Sequence, residues 1–136
     1  MCTVDLIKEM GKKRDFWAGW LEALPLYIED KDFIVVHAGK VPNLALKDSP
    51  PEWLANIRNW DGDGSDLNRP GDPAWYEFYH QKKLIVFGHW AVRGLVERSN
   101  AIGLDSGCVY GKKLSALVLP GREIVQVSAH KAYRTY

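Results

Sequence analysis

Apolar positions follow two different periods along this chain. Between residues 5 and 24 they recur at helical spacing, through Leu6, Met10, Phe16, Trp17, Trp20, Leu21 and Leu24. Gly11 and its basic neighbours Lys12, Lys13 and Arg14 interrupt the pattern, which predicts two short helices or one broken helix, ended by Pro25. Beyond Pro25 the runs shorten. Residues 26–28 and 33–36 read as strands separated by a polar turn, with 33–37 as the first buried strand. Ser49-Pro50-Pro51-Glu52 has the form of a capping box with proline at the first helical position, predicting a short helix through Trp53, Leu54, Ile57 and Arg58.

The segment WDGDGSDLNRPGDP, residues 60–73, is dense in turn-forming residues and long enough to predict a functional loop. A small aromatic helix over 75–80 follows it. Strands are predicted over 84–87, 101–104, 114–119 and 123–127, the last two joined as a hairpin through Pro120-Gly121. Residues 1–24 are thus helical and 25–136 strand-rich with an irregular loop at 60–73, a single α+β or sandwich-like domain rather than a repeating βαβ series. No glycine-rich nucleotide loop follows any predicted strand.

Composition narrows the function classes. Of 136 residues 46% are hydrophobic and 26% charged, which is globular rather than disordered usage. Eighteen basic residues interleave with 17 acidic ones for a net charge of +1, so no field favours nucleic acid or an anionic membrane, and any anion binding must be local. Cys2 and Cys108 alone build no disulfide framework and no zinc spacing, which points to a reducing cytoplasm. No run of apolar residues has the length of a signal peptide core or a membrane span.

Two histidines carry the candidate chemistry. In FIVVHAG four apolar residues lead to His37, followed by two small residues that let the backbone turn away. LIVFGHW repeats the arrangement, with Gly88 expected to supply the bend before His89 and Trp90 an apolar wall behind it. Either histidine alone reads as a structural residue; a pair at strand ends reads as metal ligands. Arg58, just before the glycine-rich loop, is the candidate phosphate clamp, because guanidinium meets phosphate oxygens in pairs. The acidic stretch from Asp61 to Asp66 suggests calcium only superficially, since Asp72 stands where an EF-hand loop requires glutamate. Asp105, Ser106 and Cys108 in GLDSGC read as a strand-turn shaping the site floor rather than as nucleophiles. His80 and His130 are expected at the surface. The six tryptophans read as core and helix-packing residues, with Trp60 and Trp75 flanking the loop where they could stack a nucleobase.

Three ordered segments, VHAG followed by VP, FGHW, and GLDSGCVYG at residues 103–111, resemble the C-terminal motifs of calcineurin-like metallophosphoesterases. In pattern they look most like the symmetrical diadenosine tetraphosphatases and the related bacterial Ser/Thr-phosphatase-like enzymes. The resemblance runs from about residue 24 to 127 and includes RNWDGDG and PAWYEFY. It implies two divalent ions, manganese, iron or zinc, sharing a bridging aspartate and polarising a phosphate for in-line attack. It also implies that His37 and His89 bind the same one of those ions. Lys40 departs from the pattern, since relatives place an apolar residue there; it is either a substrate-binding cation beside the site or a tolerated loop change. The family's earlier motifs, GD-x-HG, GD-x-x-DRG and GNHE, do not occur in this sequence; Gly62-Asp63-Gly64 and Gly71-Asp72-Pro73 lack the residues that should follow.

The resemblance therefore implies the C-terminal half of a metallophosphoesterase-type β-sandwich flanked by helices, hydrolysing a phosphoric ester or anhydride such as a dinucleoside polyphosphate or phosphoprotein. Metal binding is expected to be weak or absent and the chain inactive alone, completed by a homodimer or a missing N-terminal half. The competing reading is a non-catalytic module that self-associates through an uncovered sheet.

Overall fold

The computed structural model describes residues 8–135. Four consecutive apolar residues, Leu84–Phe87, form β3, which is buried along its whole length and lies at the centre of a five-stranded sheet. The sheet order is β1 (Tyr27–Glu29), β2 (Phe33–Val36), β3, β5 (Ala101–Gly103) and β4 (Val96–Glu97). β2, β3 and β5 run parallel, and β1 and β4 close the two edges antiparallel. A run that is apolar at every position suits a central strand covered on both faces. The two remaining strands, β6 (Lys113–Val118) and β7 (Glu123–Ser128), form a separate hairpin whose turn contains a cis peptide bond before Pro120.

Alternation of side chains divides the large sheet into two faces. Ile34, Val36, Ile85, Phe87 and Ala101 pack with Leu54, Ile57, Trp75, Tyr76 and Tyr79 into the main core. Trp75 anchors it, edge-on to Tyr76, Tyr79 and Phe87 at centroid distances of 5.9, 6.2 and 5.0 Å. On the opposite face Leu84, Val86 and Ile102 pack against Leu117 and Ile124 of the hairpin, with Phe33 and Leu104 alongside. Two strands cannot cover five. Ile28 and Val35 on the β1–β2 side of this face remain 55% and 36% exposed.

The expected α+β architecture is present, with local differences. The predicted buried strand at 33–37 is half-buried, because the hairpin stops short of it. The expected capping box at Ser49 does not form: its Oγ donates to the Ala45 carbonyl at 2.9 Å, and α2 (Pro51–Asn56) starts on its proline without a side-chain cap. The helix ends at Ile57, which is extended although its amide still donates to the Trp53 carbonyl, because tertiary pairing takes the next residue: the Arg58 amide donates to the Leu67 carbonyl at 2.9 Å, and its carbonyl accepts from the Trp75 amide at 3.1 Å. The aromatic segment is a 3-10 helix over Trp75–Phe78. β4, two residues long, carries too short a pattern to be read from the sequence.

At the front of the chain residues 8–10 are helical, Gly11–Lys13 tightens to a 3-10 turn, and α1 (Arg14–Glu22) follows; Leu6 lies outside the described residues. Trp17 and Trp20, expected in the core, are 42% and 50% exposed. The apolar stripe on α1 is exposed among the described residues, with Phe16 and Leu21 open beside the two tryptophans.

The backbone at Gly39 lies against the anchoring indole. A Cβ there would sit 2.3 Å from Trp75 Cε2 and 2.8 Å from Ile57 Cγ2, whereas one on Gly121 would meet nothing within 4 Å. Gly39→Ala is expected to cost about 1–3 kcal/mol by overpacking, read as a lower urea midpoint at unchanged slope, and Gly121→Ala to change stability by less than about 0.5 kcal/mol. Equal losses for the two variants would contradict this account of the core.

Candidate metal centre

Parallel pairing of β2 with β3 aligns their carboxyl ends, and ligand sites of open parallel sheets lie beyond such ends. His37 follows β2 directly, and Gly88 and His89 follow β3. The Gly88 amide donates to the His37 carbonyl at 2.8 Å, tying the two strand ends together. The imidazole centroids lie 5.2 Å apart with their planes at 59°. Two imidazoles on one ion at the usual ~2.0–2.1 Å can have such a centroid spacing.

The bend falls one residue later than the sequence suggests. Gly88 keeps an ordinary φ, and His89 itself adopts φ +68°. A non-glycine residue in the left-handed region stores strain, of the order of 1–3 kcal/mol, and such residues cluster at functional sites. The turn is held by Trp90, whose amide donates to the Gly88 carbonyl at 2.8 Å.

His37 is exposed and His89 half-buried. Desolvation lowers the His89 pKa from its ordinary value, and the charge of Arg58 and the neighbouring His37 lower it further, opposed by Asp105. These effects keep imidazole neutral, the form that binds metal. Asp105 lines the same cleft as His37 and His89, and its carboxylate accepts from the Gly107 amide at 3.3 Å. From the sequence Asp105 is only a floor residue. What brings it to the histidines is the parallel β3–β5 pairing. Among the described residues no cluster of three or more histidine, cysteine or acidic side chains is close enough to hold a metal.

Arg58 stands near enough to influence His89, and its Nε is buried without a hydrogen-bond partner. The loop behind it is self-contained. The Asp61 carboxylate accepts from the Gly64 and Asp66 amides and the Ser65 hydroxyl, each at 2.7 Å, and from the Asp63 amide at 3.2 Å. The Ser65 hydroxyl foremost, with those amides, holds the Asp61 carboxyl well below the usual carboxylate range. A carboxylate so satisfied organises the loop.

The other sequence candidates lie elsewhere. Lys40 is only 3% exposed and is absent from the His37–His89 cleft; its ammonium donates to the carbonyls of Val41 and Leu44, and burial lowers its pKa. The expected cation beside substrate is thus a buried pin for the loop after Gly39. Trp75 is buried beneath that loop and unavailable for nucleobase stacking, while Trp60 packs half-buried against the core. His80 and His130 are exposed, as expected. No described helix is long and apolar enough to cross a membrane.

The fold and the sequence can both be set beside known proteins. The chain's homologues are symmetrical diadenosine tetraphosphatases of the calcineurin-like superfamily, which match most of its length. A symmetrical bis(5'-nucleosyl)-tetraphosphatase of Janthinobacterium sp. (strain Marseille) is 51% identical, covering 92% of this chain and 65% of that protein. One of Ralstonia nicotianae is 36% identical over 83% of this chain and 60% of its own length. An asymmetrical bis(5'-nucleosyl)-tetraphosphatase of Oceanobacillus iheyensis is 30% identical, covering 82% of this chain and 46% of that protein. A crystal structure described as "a putative diadenosine tetraphosphatase" superposes with a TM-score of 0.75 at 30% identity, over 92% of this chain and 63% of its own. No family model matches the chain.

This chain therefore spans no more than 65% of the length of these relatives. The Janthinobacterium alignment runs over 180 positions, more than the 136 residues here, so that relative carries inserted segments this chain lacks. The Oceanobacillus alignment needs only 115 positions to cover 82% of the chain.

In the metal-free protein His89 is expected to titrate below the ordinary imidazole value of about 6.5, and Arg58→Gln to raise its midpoint, both followed by NMR of the ring protons. The unfolded chain takes up this proton first, so His89 lowers stability as pH falls through the ordinary imidazole range. An unmoved midpoint in Arg58→Gln would show that Arg58 does not act on His89.

Proposed function

We propose that this chain supplies the histidine-bearing part of a metal-dependent phosphoesterase centre that hydrolyses a phosphoric ester or anhydride. The 5.2 Å pairing of His37 with His89 at adjacent strand ends carries the reading. Nitrogen donors of this kind suit manganese, iron or zinc. A bound divalent ion would supply Lewis-acid stabilisation of charge on the phosphoryl oxygens. The chain's own residues do the positioning. His37 and His89 hold the ion, the left-handed turn at His89 aims its ring, and Asp105 is the nearby acceptor able to orient it. Arg58 is the residue that would bind the phosphate oxygens through its guanidinium, whose Nε is buried without a partner in the protein.

Two imidazoles bind one ion weakly and cannot bridge a second. Carboxylate ligands are therefore to come from polypeptide outside this sequence, corresponding to the part of the relatives that the chain does not match. Relatives named bis(5'-nucleosyl)-tetraphosphatases support dinucleoside polyphosphates as the proposed substrates, and phosphoproteins remain the other class carried by the resemblance.

A second reading rests on the open apolar surface. Leu24, Leu26, Ile28 and Val35 border the cleft that leads to the histidines, and Phe16, Trp17, Trp20 and Leu21 add an exposed helix stripe. Monomers rarely expose so continuous an apolar patch. Under this reading the chain is a non-catalytic module that dimerises through that face.

Calorimetric titration with zinc or nickel tests the first reading. Weak binding to the parent chain and a loss of roughly tenfold or more in His37→Ala and in His89→Ala are expected. Equal affinity in all three proteins would remove the shared-ion reading. Adding a polypeptide equivalent to the relatives' unmatched portion, with manganese, is then expected to yield hydrolysis of a chromogenic phosphate ester. Binding of the two polypeptides without hydrolysis would favour the interaction module.

A further inference from the structure

Lys40 takes no part in the histidine cleft, and its own surroundings are rare for a lysine. It is 3% exposed, and among the described residues no carboxylate lies within ion-pair distance of it. Its nitrogen donates to the Val41 carbonyl at 3.1 Å and to the Leu44 carbonyl. A buried ammonium without a counter-charge is costly. The uncharged amine has two N–H bonds, which match the two carbonyls, and keeps one lone pair. The tie to the loop therefore does not need the third proton, and burial lowers the pKa of the group in that direction.

The same side chain forms part of the wall of a cavity of about 410 Å³ on the main-core side of β1 and β2. Tyr27, Ile34 and Leu46 give that cavity an apolar lining, and Glu29 and Lys47 are charged members of its wall. Glu29 is engaged by Lys83 at 2.7 Å. Lys47 is exposed and has no ion pair among the described residues. Lysine nitrogens become nucleophilic when apolar surroundings desolvate them. Lys40 meets that condition and shares its cavity with an unneutralised cation.

We propose that Lys40 is a covalent capture site for small aldehydes that carry an anionic group. The amine nitrogen bonds to the carbonyl carbon and gives up both its protons; the carbonyl oxygen leaves with them as water, and a C=N imine remains. No oxidant or reductant is consumed. Lys47 offers the charge that holds the anionic group, and the apolar lining suits a flat ring between the two. Capture withdraws the donors from Val41 and Leu44, so it also frees the loop that Lys40 ties down.

The probes are para-carboxybenzaldehyde and benzaldehyde, incubated with the chain, trapped with cyanoborohydride and located by peptide mass spectrometry. Trapping is expected at Lys40 ahead of Lys131, an exposed lysine lying over Tyr133. The carboxylated aldehyde should react at Lys40 about tenfold faster, as for one charge-assisted contact. Lys47→Gln should bring the two aldehydes within about twofold of each other, and Lys131→Gln, the charge-matched control, should leave the preference intact. Lys40→Arg keeps donors for the two carbonyls but no nucleophile, and should abolish trapping at this position. Location of the adduct in the parent chain decides the matter even if that variant does not fold. Trapping at Lys131 and other exposed lysines with Lys40 untouched overturns the proposal. Equal rates for the two aldehydes at Lys40, or equal effects of Lys47→Gln and Lys131→Gln, overturn the anionic class of ligand.

Discussion

The parallel ladder between β2 and β3 is the constraint on which the rest depends. Parallel strands end on the same side of a sheet, so two histidines that follow such strands become neighbours without any direct pairing of their own segments. The ladder is held because β3 is apolar at every position and buried on both faces. Had these strands run antiparallel, the same side chains would lie at opposite ends of the sheet.

Around that ladder the two faces play different parts. Trp75 and the rings packed on it stiffen one face, and the contact of Gly39 with the indole leaves no freedom in the turn after His37. Lys40 reinforces that turn from inside by giving its ammonium to loop carbonyls. A lysine that could be read from the sequence as a cation beside substrate therefore serves the scaffold. The strain carried by His89 in its left-handed conformation is tolerable only against so rigid a frame.

The other face is where binding energy is left over. The hairpin covers β3 and β5 but leaves Ile28 and Val35 open, and the cleft between runs to the histidines. An apolar wall that ends at His37 and His89 lowers the local dielectric around the two imidazoles. Apolar cover and charge recognition are thus adjacent demands on one surface, and whatever meets the first changes the strength of the second.

Much of this was legible in the residues. FIVV and LIVF announce strands because continuous apolar runs can only be buried, the 60–73 loop follows from its glycines and carboxylates, and His37 and His89 follow from ending those strands. The failures share a cause. Ser49, Lys40 and Trp17 each have a side chain whose surroundings are chosen by distant segments, so local pattern could not tell a cap from a backbone tie, a clamp from a pin, or a core tryptophan from an exposed one. By itself the sequence determined which segments become strands and which residue types stand at their ends. Only the tertiary structure decided that Asp105 and Arg58 would join the histidines, because proximity among residues far apart in sequence is set by strand order and loop closure rather than by composition.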